Sequence, residues 1–152
     1  SYEKDERYWR LKVDQAGNGN AIIRFLPRHP KEDFPFVKRF SYGFKGPTGR
    51  WYIELSPTTI GLPDPVAERN SLEWNSGTEA GKDWARKHKR RLRFISNVLV
   101  IKHDANKEDE GKVFLYEYGQ KIYQKIYCDY LLKKKCFIYK LKMLLMHLLL
   151  FR

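Results

Sequence analysis

Short apolar segments separated by turns of Gly, Pro and Asn constrain the fold of this chain more strongly than any other feature. Four such segments, rich in β-branched and aromatic residues typical of strands, lie at 8–13, 21–27, 36–44 and 51–55. Two turn sequences between them, AGNGN and KGPTGR, favour hairpins. The pattern therefore predicts four strands before residue 56.

The middle of the chain has helix signals instead. Asp64-Pro65 predicts a helix start, because the Asp side chain can accept from the first helical N–H groups and Pro suits the first helical position. Ser76 followed by Glu79 resembles a capping box and predicts a second helix through KDWARKHKRR. The remaining pattern predicts strands at 93–102 and 112–118 and a helix from Gly119.

This order predicts a mainly β protein with a helical insertion. An OB-fold-like, five-stranded, partly open barrel fits it, and so does a less regular α+β sheet. We place the core domain at residues 1–127. Residues 128–152 contain no Gly, Pro, Ser, Thr, Asn, Gln, Ala or Val. We interpret them as an atypical basic and apolar tail of out-of-frame or truncated sequence.

The chain carries a net charge of +12, which indicates an anionic partner such as nucleic acid or a membrane surface. Six Lys/Arg and one acid from Cys128 onward contribute +5, so residues 1–127 carry +7. The densest positive charge is KHKRRLR (87–93), directly before Phe94 and an apolar run. Such a block is suited to salt-sensitive phosphate binding, although a basic run alone slightly favours a solvated helix face.

Aromatic residues follow on a predicted strand. Phe114, Tyr116 and Tyr118 alternate, so they share one face with Lys112. Rings beside cations are what single-stranded nucleic acid requires, because bases stack while the backbone follows the charge. The same rings could instead be core, since the intervening residues offer a second apolar face. The sequence leaves open which face packs inward.

The sequence argues against an enzyme. No P-loop, G-x-S-x-G or H-E-x-x-H motif occurs, and the four His residues lack the partner spacing of a zinc site. One acidic group could be imagined as metal ligands, but it lies in a Lys-containing turn typical of a solvated loop: Asp104, Glu108, Asp109 and Glu110. Two cysteines without framework spacing favour a reducing compartment.

Four segments together identify a family resemblance: AGNGNAIIRFLP, YGFKGPTGRWYIE, ISNVLVIK and EGKVFLYEYGQKIYQKI. They resemble the single-stranded DNA-binding (helix-destabilising) proteins of T-even-type bacteriophages, in particular a cyanophage-like branch, over roughly residues 5–127. The resemblance implies an OB-fold core, incomplete at its C-terminal side, that coats single-stranded DNA during replication, recombination and repair. It also implies the cytoplasm of the infected bacterial host, replication and recombination proteins as partners of the full-length protein, and no membrane.

Site residues follow by matching motifs. Stacking on bases is implied for Phe94 and Tyr116. Phosphate contacts are implied for Lys and Arg residues of the matching segments and of the basic block, and we include basic residues next to them. The full set is Arg24, Lys89, Arg90, Arg91, Arg93, Lys112 and Lys121.

The resemblance also implies a structural zinc held by one His and three Cys. The matching positions here are Tyr42, Ser56, Asp64 and Ala67. These residues cannot supply the missing imidazole and thiolates, so we predict no zinc and no other cofactor. We further expect a fragment whose DNA-binding surface lacks one wall.

Three other classes compete with single-stranded DNA binding. An RNA-binding or ribosome-associated basic protein shares the charge and the rings but not the motifs. A membrane-surface protein would use residues 136–152, whose apolar run is too short to span a bilayer. A metal nuclease comes last.

Overall fold

The computed structural model describes residues 5–133 and 137–143. Within them the strands are β1 (Gly19–Phe25), β2 (Val37–Ser41), β3 (Phe44–Lys45), β4 (Trp51–Tyr52), β5 (Arg91–His103), β6 (Val113–Tyr118) and β7 (Phe137–Met143). The α-helices are α1 (Pro65–Asn75), α2 (Glu79–Lys87) and α3 (Gln120–Lys133). Two short 3-10 helices lie at Pro57–Ile60 and Lys107–Asp109. The predicted mainly β fold with a helical insertion is confirmed.

The chain divides into two compact units. The second unit is the insertion Lys38–Arg93, and the first unit is formed by the chain up to Val37 and from Phe94 onward. A five-stranded sheet has the order β2-β5-β1-β7, with β6 also paired to β5. The pairings of β5 with β1 and β6, and of β1 with β7, are antiparallel. A separate two-stranded sheet joins β3 and β4 in the second unit.

The core of the first unit follows the two-residue period of its strands. Ala21, Ile23 and Phe25 of β1 are buried, while the residues between them are half-buried. On β5 the alternate residues Phe94, Val98 and Val100 are buried in the same way. Fully burying one such large side chain stabilises the fold by about 1.5–3 kcal/mol, so this one sheet face holds much of the folding free energy.

The aromatic face of β6 packs inward, which settles the question that the sequence left open. The Tyr118 side chain is 2% exposed, and its hydroxyl shares a 2.8 Å hydrogen bond with the Ser96 hydroxyl. The Tyr116 ring meets Trp9 and Phe25 edge-on, with centroids 5.6 and 6.2 Å away. Tyr118 therefore belongs to the core of the first unit, and Tyr116 packs against core rings while its side chain stays half-buried.

The predicted strand at 8–13 is wrong. Only Tyr8 forms a bridge, parallel to Leu115 of β6. The Trp9 N–H donates to the Leu115 carbonyl at 2.8 Å, and the Lys12 N–H donates to His103 Nε2 at 3.3 Å. The segment is not a strand, because its backbone groups bond to scattered partners rather than to one ladder. The predicted strand at 51–55 likewise shortens to β4.

Helix α1 begins where the sequence predicted. The Asp64 carboxylate accepts from the Val66 and Ala67 N–H groups at 3.0 and 3.1 Å. This N-cap satisfies two of the backbone donors that a helix leaves without partners.

The predicted capping residue of the second helix is wrong. Thr78, not Ser76, caps α2, and its hydroxyl accepts from the Gly81 N–H at 3.1 Å. Ser76 instead ends α1, and its hydroxyl donates to the Glu73 carbonyl. Gly77, with φ of 75°, turns the chain between them, so the cap moves two residues on.

The tail is described only in part. Helix α3 continues to Lys133, and β7 pairs with β1 along seven residues. Residues 134–136 and 144–152 lie outside the described residues, and so does most of the segment predicted as a membrane-surface anchor. No helix in the described residues combines the length and apolarity needed to cross a bilayer.

Candidate nucleic-acid interface

The basic residues on and after α2 fall into two groups with different electrostatics. On α2, Lys82 donates to Glu79 at 3.0 Å and Arg86 donates to Asp83 at 2.7 Å. These i,i+3 pairs offset the charges of Lys82 and Arg86, which precede the basic block on the same helix. Within the described part of the chain, the positive charge without an acidic partner therefore begins at Lys87, the last residue of α2, and continues after the helix.

Lys89, Arg90 and Arg91 come just after His88, the C-cap of α2, and all three are exposed. No carboxylate among the described residues forms an ion pair with any of them. Three adjacent cations without acidic partners create a local positive potential that attracts phosphate. We call these three residues the 89–91 cluster. Arg93 is exposed too, but it has an interaction partner of its own.

Arg90 is held in place at the protein surface. Its Nη1 donates to the Thr58 hydroxyl at 2.8 Å, and its guanidinium carbon lies 4.5 Å from the centroid of the Phe40 ring. Arg91 has a weaker anchor, since its Nη2 is 3.5 Å from the Gly43 carbonyl oxygen. Sequence reasoning missed both Thr58 and Phe40, because neither is adjacent to the basic block along the chain.

A buried hydrogen-bond network lies behind Thr58. The Tyr42 hydroxyl donates to Asp64 Oδ2 at 2.9 Å, and the Ser56 hydroxyl donates to the same oxygen. Ser56 and Thr58 share a further hydrogen bond of 2.7 Å. The other oxygen of Asp64 accepts from the two N-cap amides. A carboxylate has about four acceptor sites, so all the acceptor sites of Asp64 are used.

The network shifts the pKa of both ionisable members. Burial raises the pKa of Tyr42 to about 12, and the hydrogen bond to Asp64 adds to this shift. Burial alone would raise the pKa of Asp64, but hydrogen bonds from Ser56, the Ala67 amide, Tyr42 and the Val66 amide outweigh it and lower that pKa. At neutral pH the phenol therefore donates and the carboxylate accepts.

These positions do not fit the zinc that the family resemblance implies. Tyr42, Ser56 and Asp64 bond to one another, and Ala67 contributes only its backbone N–H to Asp64. Structural zinc requires four Cys or His donors with free lone pairs. Here the one strong metal donor, the Asp64 carboxylate, already has its oxygens occupied.

The predicted phosphate contacts of the first unit lie on three different elements. Arg24 is on β1, in register with Leu99 of β5, and is half-buried. Lys112 precedes β6 and Lys121 lies in the first turn of α3, and both are exposed. Their exposure is compatible with phosphate contact, and their role stays a prediction.

The structure leaves no face of Phe94 open to a base. Its side chain is 1% exposed, and the Tyr123 ring stacks on it with centroids 3.9 Å apart and an angle of 5°. Phe36 meets its edge, with centroids 5.6 Å apart. The expected stacking role of Phe94 is therefore withdrawn, because the ring belongs to the core. Tyr116 is half-buried, and its role stays a prediction.

Two Trp side chains of the second unit are exposed and lie beside a cation, unlike Phe94. Trp51 is 60% exposed with the Lys45 amine 5.7 Å from its ring centroid. Trp74 is 50% exposed with the Arg86 guanidinium at 5.9 Å, although Asp83 offsets the charge of that Arg. A ring beside a cation is a platform for a base and its phosphate. Sequence reasoning treated Trp51 only as a strand residue, although the short KGPTGR turn brings Lys45 opposite it.

Comparison with known proteins assigns the family. The family model described as gp32 DNA binding protein like matches residues 17–136, which include the whole second unit with its 89–91 cluster and part of the first unit. The chain belongs to this family. It therefore groups with DNA-binding proteins rather than with enzymes, as the sequence predicted.

Similar proteins are named for single-stranded DNA binding. The single-stranded DNA-binding proteins of Enterobacteria phages T2 and T4 are each 42% identical over 128 and 125 residues. In both cases the match covers 81% of this chain and 40% of the relative. The single-stranded DNA-binding protein of Escherichia phage SV14 is 48% identical over 83 residues, 51% of this chain and 73% of that protein. The chain thus spans about 40% of the length of the T2 and T4 relatives.

Proposed function

We propose that this chain binds single-stranded DNA without sequence preference. The observation that carries the proposal is the 89–91 cluster, which is exposed and has no acidic partner among the described residues. Family membership supports DNA as the anion, since the T2 and T4 relatives are named for single-stranded DNA binding.

The proposed binding has two physical components. Lys89, Arg90 and Arg91 neutralise backbone phosphates and release counterions, so this component weakens as salt increases. Exposed rings such as Trp51 stack on bases, and every base has a ring face, so this component tolerates any sequence. Tyr116 is retained as a further stacking candidate, and Arg24, Lys112 and Lys121 as further phosphate contacts.

The finer fold and the biological role are part of the proposal. A mainly antiparallel sheet interrupted by a helical insertion between β4 and β5 supports an OB-fold-like architecture. The family supports a role in phage DNA replication, recombination and repair within the infected host cell. Replication and recombination proteins are the proposed partners of the full-length protein.

Fluorescence titration tests the proposal directly. Mixed-sequence single-stranded oligonucleotides should quench Trp emission, because Trp51 and Trp74 are exposed whereas Trp9 is buried. The quenching should be similar for different sequences and should weaken steeply from low to moderate salt. Duplex DNA and structured RNA of equal length serve as comparison ligands.

Two outcomes would contradict the proposal. A sample that circular dichroism shows to be folded, yet that neither quenches nor changes the anisotropy of a labelled oligonucleotide, would reduce the 89–91 cluster to a solvated surface. Tighter binding to structured RNA than to single-stranded DNA would favour the RNA-binding alternative.

We also propose that the second unit folds without zinc. Its thermal unfolding midpoint should not change when a chelator or stoichiometric zinc is added, because hydrogen bonds occupy the oxygens of Asp64. Elemental analysis of the purified protein gives a second measurement. Stoichiometric zinc in the protein, or a midpoint lowered by the chelator, would show that the network does not replace the metal.

A further inference from the structure

A series of hydrogen bonds links Arg90 to Asp64 through Thr58 and Ser56, and its donors can point in only one direction. A carboxylate accepts only, so the Ser56 hydroxyl uses its single hydrogen on Asp64. Ser56 then offers only a lone pair to Thr58, and the 2.7 Å bond between them must use the Thr58 hydrogen. The Thr58 oxygen is left with lone pairs alone, and Arg90 donates to one of them.

Burial fixes the Asp64 end of this series of hydrogen bonds. Ser56 is 1% exposed and Asp64 is 3% exposed, and Asp64 is bonded to two backbone amides of α1. Thr58 therefore presents its acceptor from a rigid position, whereas Arg90 is exposed to solvent. With one N–H on Thr58 and the Phe40 ring beside it, the guanidinium keeps its other donors for a ligand.

We propose that Thr58 is a positioning residue for DNA binding, which orients the Arg90 guanidinium toward a backbone phosphate. The inference rests on the proposed function. A free Arg side chain loses rotamer freedom when it binds, whereas an oriented one has already lost it. The planar fork of Arg also makes two parallel bonds to phosphate only when it is correctly oriented. Thr58 thus increases affinity without contacting DNA.

The variant Thr58→Val isolates this effect. It keeps the side-chain shape and replaces only the hydroxyl with a methyl group. No buried donor is left unsatisfied, because the Ser56 hydroxyl still donates to Asp64. The affinity of the whole chain for single-stranded DNA should fall about three- to tenfold, as expected for losing the preorganisation of one side chain. The salt dependence should stay unchanged, since no charge is removed. Thr58→Ser should restore wild-type affinity, and Thr48→Val is the matched control in the β3–β4 turn.

A double-mutant cycle with Arg90→Gln separates positioning from general structure. Arg90→Gln should lower the salt slope by about 0.7, and adding Thr58→Val to it should cause no further loss. Two results would overturn the inference while the wild-type chain still binds DNA. In one, Thr58→Val and Thr48→Val have equal affinity; in the other, Thr58→Val still lowers the affinity when Arg90 has been replaced. A wild-type chain that does not bind would overturn the proposed function itself, so the two failures are distinguishable.

Discussion

Asp64→Ala should lower the free energy of unfolding by roughly 3 kcal/mol, because the substitution removes a helix cap and leaves two buried hydroxyls without an acceptor. The cap is the pair of bonds from the Val66 and Ala67 amides, and the hydroxyls are those of Tyr42 and Ser56. Urea denaturation followed by circular dichroism measures the change.

Two variants control this experiment. Asp64→Asn keeps an oxygen for the α1 amides and should lose less stability than alanine, since the hydroxyls can rotate to accept from its NH₂ group. Asp83→Ala removes an exposed carboxylate from α2 and should stay within about 0.5 kcal/mol of wild type. Equal losses for Asp64→Ala and Asp83→Ala would show that the buried network contributes nothing specific.

The contribution of Asp64 should also depend on pH. Hydrogen bonds hold the pKa of this carboxyl below its usual value, so the folded protein favours the ionised form. The stabilisation is complete above the usual pKa of about 3.9 and is lost as the pH falls through the lower folded value. The difference between wild type and Asp64→Ala should therefore shrink in acid and remain constant near neutrality.

Replacing Lys89, Arg90 and Arg91 together with Gln should weaken single-stranded DNA binding on the order of 100-fold at low salt, at about 1 kcal/mol for each lost phosphate contact. The slope of log K against log salt should decrease in magnitude by about 2, since each neutralised phosphate contributes about 0.7 on a single strand. Anisotropy of a labelled oligonucleotide across a salt series measures both quantities.

A charge-matched triple variant is the control. Lys31, Lys102 and Lys107 are exposed and lie outside the proposed interface, so their replacement by Gln changes the net charge equally. It should alter the salt slope much less than the substitutions in the 89–91 cluster. If both triple variants lost the same affinity, binding would depend on net charge alone and not on this cluster.

Local signals in the sequence predicted local structure well. Asp64-Pro65 marked the start of α1, because capping involves only residues within three positions of each other. The Gly and Pro of the KGPTGR turn marked the β3–β4 hairpin for the same reason. Where two hydroxyl residues close in sequence could both cap a helix, the sequence did not distinguish them. Thr78 caps α2, and not the predicted Ser76.

The candidate site was predicted less completely. The exposed cations 89–91 were visible as a run of charge. The ion pairs of Lys82 with Glu79 and of Arg86 with Asp83 were established only by the structure. Arg90 is anchored by Thr58, 32 positions away along the chain, so no pattern in the basic block could reveal this contact.

Composition, charge and motif order by themselves determined that this chain is a basic, mainly β member of a DNA-binding family. Only the tertiary structure decided which rings are buried. A two-residue period assigns side chains to two faces but does not say which face packs inward. Phe94 is buried because Tyr123 and Phe36 cover it, and Trp51 stays exposed because its ring lies outside any core. Such contacts join residues distant in sequence, and their free energy is gained only when the chain has folded.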